Sequence, residues 1–412
     1  MSPEERRAFG ARVADLRKQR GLTQNELAAA IGRTSSWLSQ VERGIQPVNR
    51  LDVLRLLADG LGVPLQVLQP DAPLTPPEPE PTPAETNDLD QARLIISGHS
   101  ALDVLLQPRE DFRPSTMEDL RSATERIWEL THTDQFAELS AALGPLVPRL
   151  ERASRTAPDE YRAELHGLLA RTYQALAAAF VRQNEADAAW VAADRAIREA
   201  EMSGEPLGVF AGIYRLAHAF VRLKHLDQAE HAAATAVNAL QRHVTDHEPT
   251  PQQLSVLGSL HLMLALIHAR SGERAAARQQ INKAREVASQ LGEDRNDFNL
   301  EFGPTNVEIQ AVSTAVDLGD AGEALDIGKG LDTSRLSVER QARFLLDLGR
   351  AHAQRRQFGD ALACLLKAEE LAPEMIRNHI AARDVIRELV LVAGRAASDE
   401  LRALAERADA LG

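Results

Sequence analysis

Length, composition and charge narrow the class of protein before any motif is considered. The chain has 412 residues, 44% of them hydrophobic, which is ordinary for a chain of two or three folded domains. Its single cysteine excludes an internal disulfide. The segment MSPEERR has no signal-peptide core, and apolar runs such as LIISG are far shorter than the roughly 20 residues that cross a bilayer. We therefore expect a cytoplasmic protein with no membrane partner.

The net charge of −13 is unevenly distributed along the chain. Residues 1–70 contain ten Lys or Arg and seven Asp or Glu, a net of +3. Residues 71–90 contain six acids and no base, which leaves −10 for the remainder. Long-range attraction to a polyanion is therefore expected of the first seventy residues alone.

A proline-rich acidic stretch separates two parts of the chain. The segment QPDAPLTPPEPEPTPAETND, residues 69–88, has seven prolines between Pro70 and Pro83 and almost nothing that can enter a core. Proline favours extended polyproline II structure. We predict a linker over residues 69–90, either a passive spacer or an acidic segment that shields the basic part when DNA is absent.

Helix boundaries are marked at close intervals in the first seventy residues. A first helical run ends at Gly21, and Thr23 and Glu26 then have the spacing of a capping box. A third helix lies between Gly32 and Gly44, two residues that permit tight turns. The pattern predicts two short helices joined by a tight turn.

The third helix has one apolar and one uncharged polar side. Leu38 and Val41 lie on the apolar side. The other side carries Ser35, Ser36, Ser39 and Gln40. A helix that only fills a bundle more often exposes Glu and Lys, whereas a small uncharged face can approach base edges closely. We interpret this face as a DNA-reading surface; the alternative is contact with another protein.

These features resemble a known family over nearly all of residues 6–68. The carriers of the resemblance are Leu22-Thr23-Gln24, Glu26-Leu27-Ala28 and Leu38-Ser39-Gln40-Val41-Glu42-Arg43-Gly44. They are similar to the xenobiotic-response-element, lambda-repressor-like helix-turn-helix family. The resemblance implies a five-helix domain whose third helix enters the major groove, usually as a dimer on a two-fold site.

Twelve side chains are predicted to contact DNA. By their position in the family pattern, the base contacts are Ser35, Ser36 and Gln40, and the phosphate contacts are Gln24, Asn25, Arg43 and Asn49. The remaining candidates are Arg33, Thr34, Trp37, Ser39 and Arg50. Trp37 either presses on a thymine methyl or sugar or packs half-buried in the domain. Gln40 alone can make a bidentate adenine contact, so sequence choice is expected to depend partly on DNA shape.

Beyond residue 90 the chain consists of alanine-rich helical stretches without an alternating strand pattern. Ala179-Phe180-Val181-Arg182 recurs forty residues later as Ala219-Phe220-Val221-Arg222. Each copy is followed by a polar turn and by alanines spaced for close helix contact. The repetition predicts stacked helix pairs that share a continuous core.

One copy, LDLGRAHAQRRQFGDALACLLKAEELAP, resembles the tetratricopeptide repeat. Leu348-Gly349, Ala361, Ala368 and Pro373 stand at the spacing of that repeat. The resemblance implies a curved superhelix whose inner wall binds extended peptides or partner helices.

The predicted fold class is all-α. It comprises a five-helix helix-turn-helix domain (1–68), the proline-rich acidic linker (69–90) and a tetratricopeptide-like α-solenoid (91–412). Within the solenoid, residues 91–155 are expected to lead into the array, the best repeats to span 160–373, and 374–412 to form a helical cap.

Repeat positions also predict which side chains face the inner wall. These candidate effector-binding residues are Arg171, Gln174, Arg182, Tyr214, His218, Arg222, Arg270, Arg343 and Arg350, with Leu262 and Leu266 beside them. Arg182, Arg222 and Arg270 occupy one equivalent position in three successive pairs. Such a column can bind a ligand carboxylate or an acidic peptide. The alternative is a set of ion pairs with neighbouring Asp and Glu between repeats.

Helix-turn-helix domains joined to such repeats resemble the RRNPP regulators, in which a peptide in the superhelix changes the arrangement of a DNA-bound dimer. The resemblance implies a homodimeric, sequence-specific transcription regulator whose repeat domain senses a peptide, small-molecule or protein effector or mediates dimerisation. The alternative is a constitutive interaction scaffold tethered to DNA, with no effector. No spacing indicates a catalytic set, a metal site or a cofactor, and His243 and His247 stand just before Pro249 in an expected loop. We expect a non-enzymatic protein.

Overall fold

The computed structural model describes residues 3–31, 35–45, 48, 51–61, 63, 65–68, 87–98 and 115–410. The chain divides into two compact units, Met1–Ala84 and Glu85–Gly412. Every regular element in the described part is a helix, and its one β-type pairing is the bridge between Arg295 and Phe302. The predicted all-α class is confirmed.

The first unit contains the five expected helices. They are α1 (Pro3–Gln19), α2 (Gln24–Ala30), α3 (Ser35–Glu42), α4 (Leu51–Leu61) and α5 (Leu65–Leu68). Their apolar faces meet in one core, in which Val13, Leu27, Leu38 and Leu57 are fully buried. Burial of large aliphatic side chains of this kind contributes roughly 1.5–3 kcal/mol each. The core therefore fixes the relative positions of α2 and α3.

Local signals in the sequence set the ends of these helices. Thr23 and Glu26 form the predicted capping box: the backbone N–H of Thr23 donates to Glu26 (2.7 Å), and the backbone N–H of Glu26 donates to the Thr23 hydroxyl (3.2 Å). Gly44, with φ +71°, ends α3 in a left-handed conformation. A side chain at Gly44 would also clash with the backbone of Arg7 on α1. Glycine is thus required there both for the turn and for close contact.

The second unit is a succession of helices. In chain order they are α6 (Asp90–Ser97), α7 (Ser115–His132), α8 (Phe136–Thr156), α9 (Asp159–Arg182), α10 (Ala186–Ser203), α11 (Pro206–Arg222), α12 (Leu226–Asp246), α13 (Pro251–Arg270), α14 (Arg274–Leu291), α15 (Pro304–Asp317), α16 (Ala321–Gly328), α17 (Val338–Gln354), α18 (Phe358–Leu371), α19 (Pro373–Asn378), α20 (Ile380–Ala393) and α21 (Asp399–Arg407). Neighbouring pairs pack through small side chains: Ala189, Ala193 and Ala196 on α10 are fully buried.

Six helix pairs, from α7–α8 to α17–α18, share one turn geometry. The turn residue with positive φ is Asp134, Asn184, Lys224, Gly272, Gly319 or Arg356. In each turn the next backbone N–H reaches back to a carbonyl five residues earlier, as from Glu185 to Phe180 (2.8 Å) and from His225 to Phe220 (2.9 Å). The repetition extends to α7–α8, which the sequence placed outside the array.

The start of the second unit differs from the predicted linker boundary. Leu89 is fully buried in this unit. The Asn87 side chain donates to the backbone carbonyl of Asp134 (2.8 Å) and accepts from the backbone N–H of Ala137 (3.0 Å). Residues 87–90 are thus part of the folded unit because they carry a buried apolar side chain and an amide that both donates and accepts hydrogen bonds within this unit. The rest of the predicted linker, 69–86, lies outside the described residues.

The apolar content of α13 was also underestimated from the sequence. By length and composition this helix, Pro251–Arg270, can cross a membrane, but 83% of its apolar window is buried within the unit. Its neighbours α11 and α15 pack against it, and the ring of Phe302 covers Gly258. It is the central core helix of the array.

Packing at Gly258 gives a stability prediction. A Cβ at this position would overlap the ring of Phe302, which is fully buried and has no room to move. Gly258→Ala is expected to destabilise the protein by about 2–3 kcal/mol in urea unfolding followed by circular dichroism. Gly167→Ala is the matched control, since Gly167 lies within α9 and a Cβ there would make only an ordinary contact with Ser203 (3.9 Å), and it should be neutral or stabilise by about 0.5–1 kcal/mol. Equal stability of both variants would contradict this packing.

Candidate functional site

The first candidate site is the exposed side of α3. Leu38 and Val41 are buried in the core, as their apolar pattern predicts. Ser35 is exposed, and Ser39 and Gln40 are half-buried. An uncharged polar edge therefore faces outward from a helix that is fixed on its other side.

Trp37 and Arg43 flank this edge. Trp37 is half-buried and packs against the core of the first unit, which favours the packed interpretation of this side chain. Arg43 is exposed, and its Nε donates to the backbone carbonyl of Ser39 (3.2 Å). Asn25 is exposed on α2. Arg33, Thr34, Asn49, Arg50 and the Ser36 side chain lie outside the described residues.

A buried ion pair holds α3 from behind. Arg17 on α1 binds the Glu42 carboxylate through Nε (2.6 Å) and Nη2 (3.0 Å), and its Nη1 donates to the Leu22 carbonyl (2.8 Å). Burial acts to raise the pKa of Glu42, but the hydrogen bonds from Arg17 and Gln24 outweigh it, so the pKa lies below its ordinary value. The carboxylate is thus charged at neutral pH and links three helices.

Gln24 has a structural contact that the sequence did not indicate. Its side-chain amide donates to Glu42 (2.7 Å), which ties α2 to the end of α3. In this arrangement one N–H of the amide is used within the domain. The amide carries a second N–H, so the phosphate contact of Gln24 stays a prediction.

The second candidate site is a cavity enclosed by the first helix of each pair in the second unit, which we call the inner cavity. It is lined from α7, α9, α11, α13, α15 and α17, the loop 299–301 and His379. Seven arginines line it: Arg182, Arg215, Arg222, Arg270, Arg340, Arg343 and Arg350. The lining acids are Glu301, Glu339 and Asp347.

Asp317 neutralises part of this positive charge. It accepts from Arg270 (2.8 Å) and from Arg350 (2.7 Å), and Arg350 also binds Asp347 (2.8 Å). Burial acts to raise the pKa of Asp317, but the charges of Arg270 and Arg350 outweigh it, so the pKa is lowered. Two arginines are therefore fixed as structural ion pairs between α13, α15 and α17.

Arg182 joins distant parts of the array. It binds Asp134 in the preceding turn (2.9 Å) and Glu339 on α17 (3.3 Å), and it donates to the carbonyl of Thr131. Burial acts to raise the pKa of Glu339, but the charges of Arg182 and Arg340 outweigh it and lower the pKa to about 2. These contacts draw α17 towards the first two pairs and close one side of the inner cavity.

Two further arginines contact the loop 299–301 and not a carboxylate on another helix, and the Nε of Arg215 has no hydrogen-bond partner among the described residues. Arg340 contacts Glu301 (3.5 Å) and donates to the backbone carbonyl of Leu300 (3.3 Å). Arg215 donates to the carbonyl of Asn299 (2.7 Å), and its guanidinium lies 5.5 Å from the ring centroids of both Trp128 and Tyr214. Aromatic faces are favourable neighbours for a guanidinium.

Arg222 and Arg343 differ from the other five. Neither forms a hydrogen bond or an ion pair with any residue that the structure describes. Burial lowers the pKa of Arg222 to about 10, and the charges of Arg343 and Arg270 act in the same direction. Burial also lowers the pKa of Arg343. Both guanidinium groups thus line the inner cavity without a hydrogen-bonded anion, and only at Arg343 do nearby carboxylates, Asp347 and Glu339, partly offset the effect of burial on the pKa.

The structure brings most of the predicted effector-binding residues together. Seven of the nine line the inner cavity: Arg182, Tyr214, His218, Arg222, Arg270, Arg343 and Arg350. Gln174 does not, since it is buried between helices and its amide donates to the Gly208 carbonyl (3.0 Å). Arg171 lies in a separate groove with Arg121 and Glu164. The structure does not bring these two together with the other seven, because both lie nearer the N-terminal end of α9 than the part of this helix that lines the cavity.

The sequence did not indicate several residues of the inner cavity, among them Arg215, Arg340 and His379. Arg215 directly follows Tyr214 and Arg340 lies one turn before Arg343, so a slightly wider inward stripe would have included them. His379 lies in the predicted cap, between α19 and α20, and no repeat signal points to it. It lines the cavity beside Arg343, and an adjoining pocket places it with Asp134 and Phe136 of the first pair.

Comparison with known proteins gives a family match for the first unit. Residues 8–70 match the family described as a helix-turn-helix domain, so the first unit contains a helix-turn-helix domain. Among solved structures, the chain aligns over 85% of its length, and over 98% of the other chain, with the crystal structure of Bacillus thuringiensis PlcR in complex with the peptide PapR7 and DNA, at 14% identity and a TM-score of 0.38. No curated protein is detectably similar in sequence.

The ion pair behind α3 gives a second prediction. Glu42→Ala leaves Arg17, which is 9% exposed, without its carboxylate. Loss of one partner of a buried pair is expected to cost about 3 kcal/mol. Hydrogen exchange of the full-length protein, read by mass spectrometry, should show faster exchange in α1 and α3. Glu26→Gln is the control because glutamine also completes a capping box, and equal exchange in both variants would refute the role of Glu42.

Proposed function

Since residues 8–70 are a helix-turn-helix domain, we propose that this protein is a cytoplasmic, sequence-specific DNA-binding transcription regulator. The observation that carries the proposal is the outward polar edge of α3, fixed by the core and by the Arg17–Glu42 pair. A rigid helix with small uncharged side chains can lie in the major groove without displacing charged groups.

The roles of individual side chains follow from this placement. Ser35, Ser36 and Gln40 are proposed to face base edges, with Gln40 making the one bidentate contact, to adenine. Arg43 and Asn25 are proposed to contact phosphates, which position the helix without reading the sequence. Two copies of the domain, as a homodimer, would bind the halves of a two-fold operator.

The helical repeat unit is proposed to sense an effector in the inner cavity. The supporting observation is the buried, incompletely neutralised charge at Arg222 and Arg343, which a purely structural array has no need to retain. An effector that binds one arrangement of the helix pairs more tightly shifts the population towards it and so changes operator affinity. A constitutive scaffold would instead show the same operator affinity whatever occupies the cavity.

The DNA-reading role of α3 gives the third prediction. An operator is first selected from random DNA with the wild-type protein. Gln40→Ala should then weaken operator binding by about 1–3 kcal/mol and leave binding to random DNA unchanged. Arg43→Ala should weaken both and lower the salt dependence by about one phosphate contact. Gel shifts over a salt series measure these effects.

The two variants serve as controls for each other because they lie on the same helical segment. If Gln40→Ala weakens operator and random DNA equally, α3 does not read bases through this residue. If no operator is enriched at all, the proposal of sequence-specific binding is wrong.

A further inference from the structure

We infer that the inner cavity binds a doubly charged anionic group, a phosphate ester or a pair of carboxylates, between Arg222 on α11 and Arg343 on α17. This inference rests on the proposed function in that the group belongs to the effector. It goes further by assigning the chemistry of the effector and the two side chains that select it.

The balance of charge in the inner cavity points to two negative charges. Seven arginines line it, whereas the carboxylates on or in contact with this wall are five: Asp134, Glu301, Asp317, Glu339 and Asp347. The excess is two positive charges. It occurs in a part of the chain, residues 91–412, whose net charge is −10, so a general excess of basic residues does not explain it.

The excess is located at particular groups. Four arginines, Arg182, Arg270, Arg340 and Arg350, share the five carboxylates, so three arginines have none. One of the three, Arg215, has a carbonyl and two rings instead. Arg222 and Arg343 remain, on different walls of the same cavity. Removing a guanidinium from bulk water costs several kcal/mol unless an anion compensates. A bound dianion supplies that compensation to both at once.

His379 is an independent sign of a ligand. Both of its ring nitrogens are buried, and neither has a hydrogen-bond partner. Burial and the nearby charges of Arg343 and Arg222 hold its pKa well below the ordinary value, so the ring is neutral. A neutral imidazole still has one N–H donor, and buried donors of this kind are almost always satisfied. An anion beside Arg343 can accept from it.

The wall next to these groups is apolar. Leu262 and Leu266 on α13 and Ile309 on α15 line the same cavity. A site with convergent cationic groups and an apolar wall suits a ligand with an anionic head and a nonpolar body. Phosphorylated small molecules and peptides with acidic termini share this chemistry.

The test measures binding of simple dianions to the full-length protein. Inorganic phosphate and succinate are the probes, and sodium chloride at the same ionic strength is the salt control. Both the thermal unfolding midpoint and calorimetric titration are recorded. Wild-type protein should be stabilised by at least one dianion beyond the chloride control. The stronger of the two probes identifies the phosphate or the dicarboxylate class.

Variants assign the effect to the site. Arg222→Gln and Arg343→Gln should each lower the probe's affinity by at least about tenfold, the effect of losing a charge-assisted hydrogen bond. Arg222→Lys should bind the probe with an affinity between those of the wild type and Arg222→Gln. Lysine keeps the positive charge but lacks the planar guanidinium group that donates two parallel hydrogen bonds. Arg242→Gln, an exposed arginine on α12, is the matched control and should bind as wild type does.

A structural role for these arginines predicts a different result. If Arg222 or Arg343 served only as a packing or ion-pair residue, its Gln variant would unfold at a lower temperature without any probe. Because neither loses a partner, we expect midpoints at least equal to that of the wild type. Equal stabilisation of wild type and both Gln variants by phosphate and succinate would overturn the inference.

Operator affinity, measured separately by gel shift, distinguishes the two levels of the proposal. A probe that binds at Arg222 without changing operator affinity supports the anion site and contradicts effector sensing. If the wild-type protein binds its operator but binds neither probe at Arg222 and Arg343, the anion site is contradicted and the DNA-binding proposal is not.

Discussion

Buried positive charge in the helical repeat unit is the constraint on which the second half of this structure depends. Because six helix pairs share one turn geometry, the residues two positions before the turn residue form a column of equivalent positions, of which the first four line the cavity. That column reads His132, Arg182, Arg222, Arg270, Asp317 and Gln354. Arg182 finds Asp134 in the preceding turn, and Arg270 finds Asp317 in the following pair. The neighbours of Arg222 in this column are both arginines. The column therefore offers Arg222 no carboxylate on either side.

The same pairing shapes the cavity. Arg182 binds residues of both the first pair and α17, so neutralising its charge also brings the two ends of the array together. An array of this kind needs contacts only between neighbours for its stability. Contacts across the interior, such as Arg182 with Glu339, therefore enclose the cavity but are not needed for the array to fold. Changes at this interior are consequently suited to coupling ligand binding to rearrangement of the helix pairs.

In the first unit, the main constraint is that α3 must hold its polar side chains in fixed positions. The apolar side of α3 is buried, and the Glu42 carboxylate accepts hydrogen bonds from Arg17 and Gln24 behind the helix. The ion pair thus lies behind α3, and the outward edge with Ser35 and Gln40 is uncharged. Precise positioning of a few side chains matters more here than their number, since base contacts require defined geometry.

Much of this organisation could be predicted because it is local. The all-α class, the capping box at Thr23 and the burial of Leu38 follow from helical periodicity and short-range hydrogen bonds. The inward arginines followed from repeat spacing. His379 and the contact between Arg182 and Glu339 could not be predicted, because they depend on how far the array curves. Curvature accumulates from small rotations between pairs, which no single repeat encodes.

If Arg222 and Arg343 of the inner cavity bind an anionic effector, the protein should carry that molecule when it is isolated from its own cells. Native mass spectrometry of the full-length protein would then show a small bound mass in the wild type. This mass should be absent when Arg222 and Arg343 are both replaced by glutamine. Identical spectra for the two proteins, with the same bound species or none in either, would contradict it.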